Sequence, residues 1–320
     1  MNLRIVGIVV LAALLAAVPL VASEYWVALL TQILVFGLLA LSADLLLGHA
    51  GLFSLCHAAF FAVSAYTVAI LQTRHGVTTI PASLAGLCVG TLLAVVFAAS
   101  VRTRGVYFIL ITLAFGYIIW GVAYRWASFT GGDNGVTNVP PPQFAGYVVD
   151  TKIEYYYFVL AVLVVCLAVY WVLTRSPFGL ALRGIKSSES RMRSLGYRVG
   201  AHLYVAFVIS GFYASLAGVL YIYYNRFVNP NAANFPISVE AILMAIVGGT
   251  GTILGPFIGS GIVLGIRNSG IHYSTAVLGV VFIATVLWAP NGIIGLIKGG
   301  LAHLKRIFAN DNANNRGEGA

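Results

Sequence analysis

The chain has 320 residues, 60% of them hydrophobic and 8% charged, with a formal charge of +9, and its mean hydropathy is +0.94. Soluble domains carry about 25% charged residues, so an ordinary soluble enzyme is excluded, and the high apolar content without a Gly-X-Y period excludes disorder and collagen. In a membrane-spanning chain, the excess of 18 basic over 9 acidic residues reports orientation before it reports any nucleic-acid partner.

Runs free of Asp, Glu, Lys and Arg cover 5–23, 25–43, 45–73, 75–101, 105–124, 155–174, 199–225, 241–266 and 268–297. Most reach the ~20 apolar residues that a helix needs to cross a bilayer. The first run follows Arg4 and ends in Val21-Ala22-Ser23. It has the look of a signal peptide but is longer than a usual signal core, and is read as a retained anchor. Spans are predicted at 5–22, 26–46, 58–72, 81–100, 105–125 and 155–174. The segment 126–154 differs in character, with Thr130-Gly131-Gly132-Asp133-Asn134-Gly135 and then Pro140-Pro141-Pro142. It is predicted as an external loop.

Basic residues orient these spans. Arg175, Arg183, Lys186, Arg191, Arg193 and Arg198 crowd 175–202, Arg102 and Arg104 share one short connection, and Lys298, Lys305, Arg306 and Arg316 lie near the end. The positive-inside rule makes all of them cytoplasmic. A span at 203–224 then exits, and a final span at 271–289 must return. The stretch between them, 237–266, therefore has to begin and end outside, which one straight helix cannot do. Gly248-Gly249-Thr250-Gly251-Thr252 and Gly255-Pro256 supply a break between two short helices, 237–248 and 256–266. The prediction is an all-α polytopic membrane protein of about ten transmembrane or half-membrane helices, with both termini inside. The membrane domain covers 1–308, and the polar end 309–320 is expected to be disordered.

A second break is predicted at 47–57, Leu-Gly-His-Ala-Gly-Leu-Phe-Ser-Leu-Cys-His. Irregular backbone at membrane depth survives where it lines a cavity, so two such breaks point to a transport pathway. Gly48, Gly51, Ser54 and His57 at the first break, and Gly249, Gly251 and Thr252 at the second, are the pathway or hinge candidates. Asp44 and Glu240 adjoin the breaks and join that set, because an ionised group inside a membrane is costly and demands a role or a partner. Both acids could equally cap half-helices near the interfaces. An inverted repeat relating 26–126 to 203–289 has the right orientation, although the breaks fall at different places in the two halves.

His49 and His57, without acidic or sulfur neighbours at ligand spacing, make no metal site. Cys56, Cys88 and Cys166 lie far apart and read as small buried apolar residues. Tyr155–Tyr157 and Tyr221–Tyr224 lie at predicted outer ends, as interfacial belts do. Gly-x-x-x-Gly pairs at 86/90, 255/259 and 261/265 permit close helix approach.

The cytoplasmic stretch from Ser176 to Gly196 reads as one amphipathic helix. Ser176 can cap it, Pro177 takes its first position, and Gly196 stops it. Phe178, Leu182, Ile185, Met192 and Leu195 recur near helical spacing among Arg183, Lys186, Arg191 and Arg193. Such a helix can dock a partner, lie on anionic lipid, or be a solvated loop. Gly179-x4-Gly184-Ile185-Lys186-Ser187 is not a P-loop, because Ile185 separates the glycine from the lysine and no strand precedes it. No His-Glu-x-x-His or Gly-x-Ser-x-Gly signature of an intramembrane enzyme is present.

The ordered set Gly48-His49-Ala50-Gly51-Leu52-Phe53-Ser54, Arg104-Gly105-Val106-Tyr107-Phe108, Thr130-Gly131-Gly132-Asp133-Asn134-Gly135, Ser176-Pro177-Phe178-Gly179, Leu195-Gly196-Tyr197, Ser238-Val239-Glu240 and Gly248–Pro256 resembles the LivM-type permease subunits of ABC importers for branched-chain amino acids. The resemblance covers nearly the whole chain. It departs from the family at Gly184 and Ser187-Ser188, and at Asp44, where a neutral residue is common.

The resemblance implies a subunit of the bacterial inner membrane that is not itself an enzyme and carries no cofactor of its own. It implies two partner ABC ATPases that use ATP, a second LivH-type permease, an external solute-binding protein and the lipid bilayer, with no nucleic acid. It makes 176–196 the coupling helix, with Phe178, Leu182, Arg183, Ile185, Lys186, Glu189, Arg191, Leu195 and Gly196 toward an ATPase. It turns Gly131, Gly132, Asn134 and Gly135 toward the binding protein. Leu, Ile and Val are the expected solutes; urea, amides or aromatic acids are the alternative. An ion-coupled secondary transporter using Asp44 or Glu240 is a further alternative.

Overall fold

A computed structural model of the chain describes residues 17–19, 22–144, 146–270, 274–289 and 292–295. The first predicted span, 5–22, and the tail 309–320 lie outside the described residues apart from the last positions of that span. From 26–46 onward each expected segment falls on a helix whose ends differ by a few residues.

Apolar runs become helices here because a bilayer offers backbone N–H and C=O groups no outside partner. Helix α1 spans Glu24–Asp44 and continues as a π-helical turn over Leu45–Ala50. Gly51, in the left-handed region at φ 73°, ends it. The chain then runs without helix to Cys56 before α2, His57–His75. The first break is therefore narrower than 47–57, since the π turn keeps 47–50 helical.

Helix α3 is Thr79–Phe97, with a 3-10 turn over Ala98–Arg102, and α4 is Val106–Arg125. The segment after α4 holds a helical turn, Ala127–Thr130, and a two-residue hairpin, β1 Gln143–Phe144 with β2 Tyr147–Val148. This hairpin is a small exception to the all-helical expectation. Thr151 and Glu154 form a capping box that starts α5, Lys152–Arg175.

The basic segment is two helices rather than the single one expected. Ser176 caps α6, Pro177–Ser187, and Ser188 interrupts it and caps α7, Glu189–Ser194. A serine hydroxyl competes well for free N–H groups at a helix start, which is why a Ser188-Glu189 pair breaks the pattern. Helix α8 follows, Val199–Asn225, and then a 3-10 turn at Pro230–Ala233. Asn234 caps α9, Phe235–Gly248; α10 is Gly255–Asn268 and α11 is Ser274–Trp288.

Five helical stretches among the described residues are long and apolar enough to cross a membrane: Glu24–Ala50, Thr79–Arg102, Val106–Arg125, Lys152–Arg175 and Val199–Asn225. The chain is a multi-pass membrane protein. Helices α1, α2 and α8 form the centre, with α3 against α2 and α8, and the α9–α10 pair against α1. Helix α2 is less apolar than its neighbours because it is enclosed by them, and Ser64 and Gln72 are buried on it. Its Ser64 hydroxyl donates to the Ser215 carbonyl of α8 at 2.7 Å. Helices α4 and α5 lie outermost, and Leu110, Ile118, Val122, Val165, Val169 and Val172 point away from the protein. Those faces suit lipid tails.

Helices α9 and α10 have 14 residues each, about 21 Å at 1.5 Å per residue, shorter than the ~30 Å hydrocarbon core. They run antiparallel. Gly248 faces Gly255, Gly259 faces Met244, and Arg267 pairs with Glu240 at 3.0 Å. Two of the three Gly-x-x-x-Gly pairs mark close contacts: Gly86 and Gly90 abut Ser64, Val68 and Ser215, and Gly255 and Gly259 abut the α9 backbone, whereas Gly265 faces open space.

Tyr157 is exposed, but most of the tyrosines at the outer ends do not form an exposed belt. Tyr155, Tyr156 and Tyr223 are buried, Tyr155 donates to the Leu220 carbonyl, and Tyr224 donates to the Ala28 carbonyl. They tie α5, α8 and α1 together. Cys56 and Cys166 are buried as expected, but Cys88 is exposed on the outer side of α3.

A methyl group at Gly259 would strike the Met244 carbonyl, so Gly259→Ala should cost about 1–3 kcal/mol through overpacking. Thermal unfolding in detergent should show a midpoint lower by several degrees, while Gly265→Ala leaves it unmoved; equal midpoints would contradict the hairpin packing.

Candidate functional site

The two helix breaks meet at the end of the molecule that carries the basic segment. Asp44, fully buried on the last turn of α1, accepts the Gly251 N–H at 2.7 Å through Oδ1. Gly251 lies in the turn between α9 and α10, at φ 72°, a conformation that glycine adopts without cost. Gly48, one turn beyond Asp44, is pressed between the Asp44 carboxylate and the Gly251 N–H, and a Cβ there would overlap both. The other carboxylate oxygen receives Tyr170 Oη of α5 at 3.4 Å. His49 Nδ1 stands 3.9 Å away and has no hydrogen-bond partner among the described residues. The second turn is closed by Thr252, whose hydroxyl donates to Gly249 O and accepts from Gly255 N. Gly292 packs on the Gly249 backbone from the C-terminal side.

Hydroxyls from three other helices hold the non-helical stretch 51–56 and the start of α2. Leu55 N donates to Thr112 of α4 at 3.1 Å, and Ala58 N donates to Ser238 of α9 at 3.0 Å. Ser54 contacts Cys56 Sγ at 3.3 Å. His57 is buried, with Nδ1 3.1 Å from the Ser54 carbonyl and Nε2 2.9 Å from Ser210 Oγ of α8. Ser210 Oγ also lies 2.7 Å from the Ser42 carbonyl. In the neutral ring, Nδ1–H serves Ser54 and Nε2 can only accept. The single Ser210 proton then has two acceptors, one on α1 and one on α2.

The pathway and hinge candidates therefore divide. Asp44, Gly48, Gly249, Gly251 and Thr252 come together, and Ser54 and His57 pin the first break beside them. Gly51 faces Lys186. Glu240 does not join them: it pairs with Arg267 at the far end of α9 and α10. Its place near an apolar run reflects an ion pair across the hairpin rather than a post at either break.

The basic segment also divides. Leu182 and Ile185 are buried against the body of the protein and seat α6. Phe178 stacks on His202. Arg183 donates to the Thr174 carbonyl at 3.0 Å, satisfying the end of α5. Lys186 Nζ donates to Gly48 O at 2.8 Å. Glu189 pairs with Arg104 at 2.6 Å and Arg193 at 2.9 Å, tying α7 to the start of α4. Arg191, Leu195 and Gly196 are exposed, with Gly196 at φ 86°. Leu195 is 72% exposed and Leu180 59%, and Tyr197 is also open. Leu180 and Tyr197 were not among the candidates; an apolar residue flanked by charges carries no label of which face it takes.

At the opposite end, Gly131, Gly132 and Gly135 all have positive φ and fold 130–135 tightly. Val136 and Val228 exchange hydrogen bonds at 2.8 and 3.0 Å, which fastens the loop to the strand-like stretch after α8. Asn134 stays exposed.

Removing the Ser210 hydroxyl leaves His57 Nε2 buried without a partner, a cost of about 1–3 kcal/mol. Ser210→Ala should lower the thermal midpoint, and adding His57→Leu should cost less than the two single losses combined. A strictly additive double-mutant cycle would show that the pair is not coupled.

A family model described as branched-chain amino acid transport system / permease component matches residues 25–289. The high-affinity branched-chain amino acid transport system permease protein LivM of Escherichia coli is 26% identical, covering 91% of this chain and 75% of that protein. LivM of Salmonella typhimurium is 27% identical over 88% of this chain and 72% of its own length. The permease protein BraD of Pseudomonas aeruginosa is 24% identical over 81% and 91%. No solved structure matches. With the match spanning α1 through α11 and both breaks, the chain belongs to the family of branched-chain amino acid transport system permease components.

Proposed function

We infer that this chain is the membrane-spanning permease subunit of an ATP-driven importer for branched-chain amino acids. The family match across 25–289 carries the reading, and relatives named for high-affinity branched-chain amino acid transport cover most of the chain. The orientation follows from charge. The basic end faces the cytoplasm of a bacterial inner membrane, with both termini inside, and the 126–154 loop faces out, where a solute-binding protein delivers the amino acid. A second permease of the LivH type completes the pathway.

ATP hydrolysis belongs to two partner subunits. Leu180, Leu195 and Tyr197 are apolar and exposed on a basic cytoplasmic segment, where lipid tails do not cover them. Such a patch rimmed by charge is what a protein partner buries. Arg191 and Gly196 share this exposed face. Leu182, Ile185, Lys186 and Arg183 act from behind it by fixing α6 to the permease body.

ATP binding draws the ATPases together and displaces α6 and α7. The permease pair then alternates between outward- and inward-open states, with the backbone of the two breaks beside the route. Uptake powered this way requires no ion-coupling pair. The separation of Asp44 from the Glu240–Arg267 pair speaks against a secondary transporter that uses both acids.

Leu180→Asp with Leu195→Asp changes exposed positions, so the permease should fold with an unaltered thermal midpoint. The ATPases should no longer co-purify, and solute-stimulated hydrolysis should fall by about tenfold or more, as for loss of a central apolar contact. Unchanged stimulation would remove α6–α7 from the interface. In proteoliposomes, labelled leucine uptake should be competed by isoleucine and valine; no uptake of any of the three by an assembled, hydrolysing complex would overturn the solute assignment.

A further inference from the structure

The end of α1 contacts two other elements at once. On one side is α6, the helix assigned above to ATPase docking. Lys186 of α6 lays its stem over Gly51, with Cγ 3.1 Å from where a Cβ would stand, and its ammonium donates to the Gly48 carbonyl at 2.8 Å. That carbonyl is among the last of the helix, where an intrahelical partner is missing and an external donor is needed. On the other side is the tip of the α9–α10 hairpin. Its Gly251 N–H is held by Asp44 at 2.7 Å, and Gly48 touches the same N–H with no room for a side chain.

We propose that Lys186 and Asp44 are positioning residues for transport, joined through the π turn at Leu45–Ala50 so that the hairpin tip moves with α6. The proposal rests on the docking of α6 to an ATPase. The Lys186 bond is charge-assisted, which makes it shorter and stronger than a neutral one, and the Asp44 bond joins a fully buried carboxyl oxygen to a backbone N–H at 2.7 Å. Both end on the same stretch of five residues, Asp44 to Gly48. Between those two residues lies the backbone of the π turn, and the Asp44 carboxyl is steadied through Oδ2 by Tyr170 of α5 at 3.4 Å and faced by His49 at 3.9 Å. A push on α6 therefore reaches Gly251 through the Lys186–Gly48 bond, the π turn and the Asp44–Gly251 bond, and the only side chains on that route are those of Lys186 and the fully buried Asp44. The tip is where the two half-length helices end, so shifting it changes the irregular backbone there directly.

The test uses the complete importer in proteoliposomes and reads solute taken up per ATP hydrolysed. Lys186→Met keeps the stem over Gly51 and removes the donor. Asp44→Ala removes the acceptor for Gly251, and Asp44→Asn restores an acceptor oxygen without the charge. The first two should lower the ratio by about fivefold or more, the lower range for loss of coupling between sites, and Asp44→Asn should recover at least half of it. Spin labels at exposed Ser187 and Leu254 should keep one narrow distance with and without ATP in the parent importer. With Lys186→Met that distance should broaden or shift on ATP binding.

A parent-like ratio and an unmoved distance in Lys186→Met would overturn the proposal, as would a failure of Asp44→Asn to exceed Asp44→Ala. If Asp44→Ala does not assemble, Lys186→Met decides, because it alters an exposed position. Loss of ATPase co-purification would strike the docking reading instead, since the ratio is measured only in complexes that assemble and hydrolyse ATP.

Discussion

A helix that stops inside a bilayer strands backbone groups that lipid cannot satisfy. This protein stops helices twice at similar depth and lets each break answer the other. The carboxylate that ends α1 receives the N–H at the tip of the α9–α10 turn, and glycine on each side lets the two backbones touch. The rest of the arrangement follows from holding these two points together. Helices α9 and α10 must be short enough to bring the turn to Asp44, α1 must carry a π turn to present Gly48, and α6 must lie across the end of α1 to cover it.

The centre of the protein is held in the same manner by small hydroxyls rather than by charge. Ser210 links α8 to α1 and to His57, Ser238 of α9 caps the start of α2, Thr112 of α4 holds the 51–56 stretch, and Ser260 reaches the Ile33 carbonyl. Thr112 and Ser238 take up N–H groups in the 51–56 stretch and at the start of α2, while Ser210 and Ser260 give carbonyls within α1 a second donor. Between these points the packing is apolar, dominated by Phe60, Phe61, Phe207 and the leucines of α1. Ion pairs are placed at the two ends, where water reaches them: Glu189 with Arg104 and Arg193 at the basic end, and Asp150 with Arg226, Glu24 with Lys152 and Glu240 with Arg267 at the other.

The helices and both breaks were legible because apolar run length and glycine placement are local properties, and a bilayer leaves them one outcome. The hairpin at 237–266 was read from charge balance and the glycine-rich break, and the antiparallel pair is there. What joins the breaks was not legible. Asp44 and Gly251 are separated by 207 positions, and no periodicity reports contacts at that range. Glu240 was grouped with the breaks for a related reason: its partner Arg267 stands 27 positions on and is brought to it by the turn. The basic segment was read as one helix because its apolar spacing continues through Ser188; the capping preference of that serine was the signal to weigh. Leu182 and Ile185 took the inner face and Leu180 and Leu195 the outer, a choice made by the neighbours of α6 and not by its own pattern.

Where the two breaks touch, the surfaces are mostly main chain, and the polar side chains beside them, Asp44, Tyr170 and Thr252, are spent on holding the backbone and one another. Gly48, Gly249, Gly251 and Gly292 bring no side chains to this junction, so it offers a passing molecule little chemistry to read. Discrimination among cargoes has to be written elsewhere, in surfaces that do carry side chains and in whichever protein hands the cargo over. A lineage can therefore change what it imports by rewriting those surfaces while inheriting this joint intact, much as a door keeps its hinge when the lock is replaced.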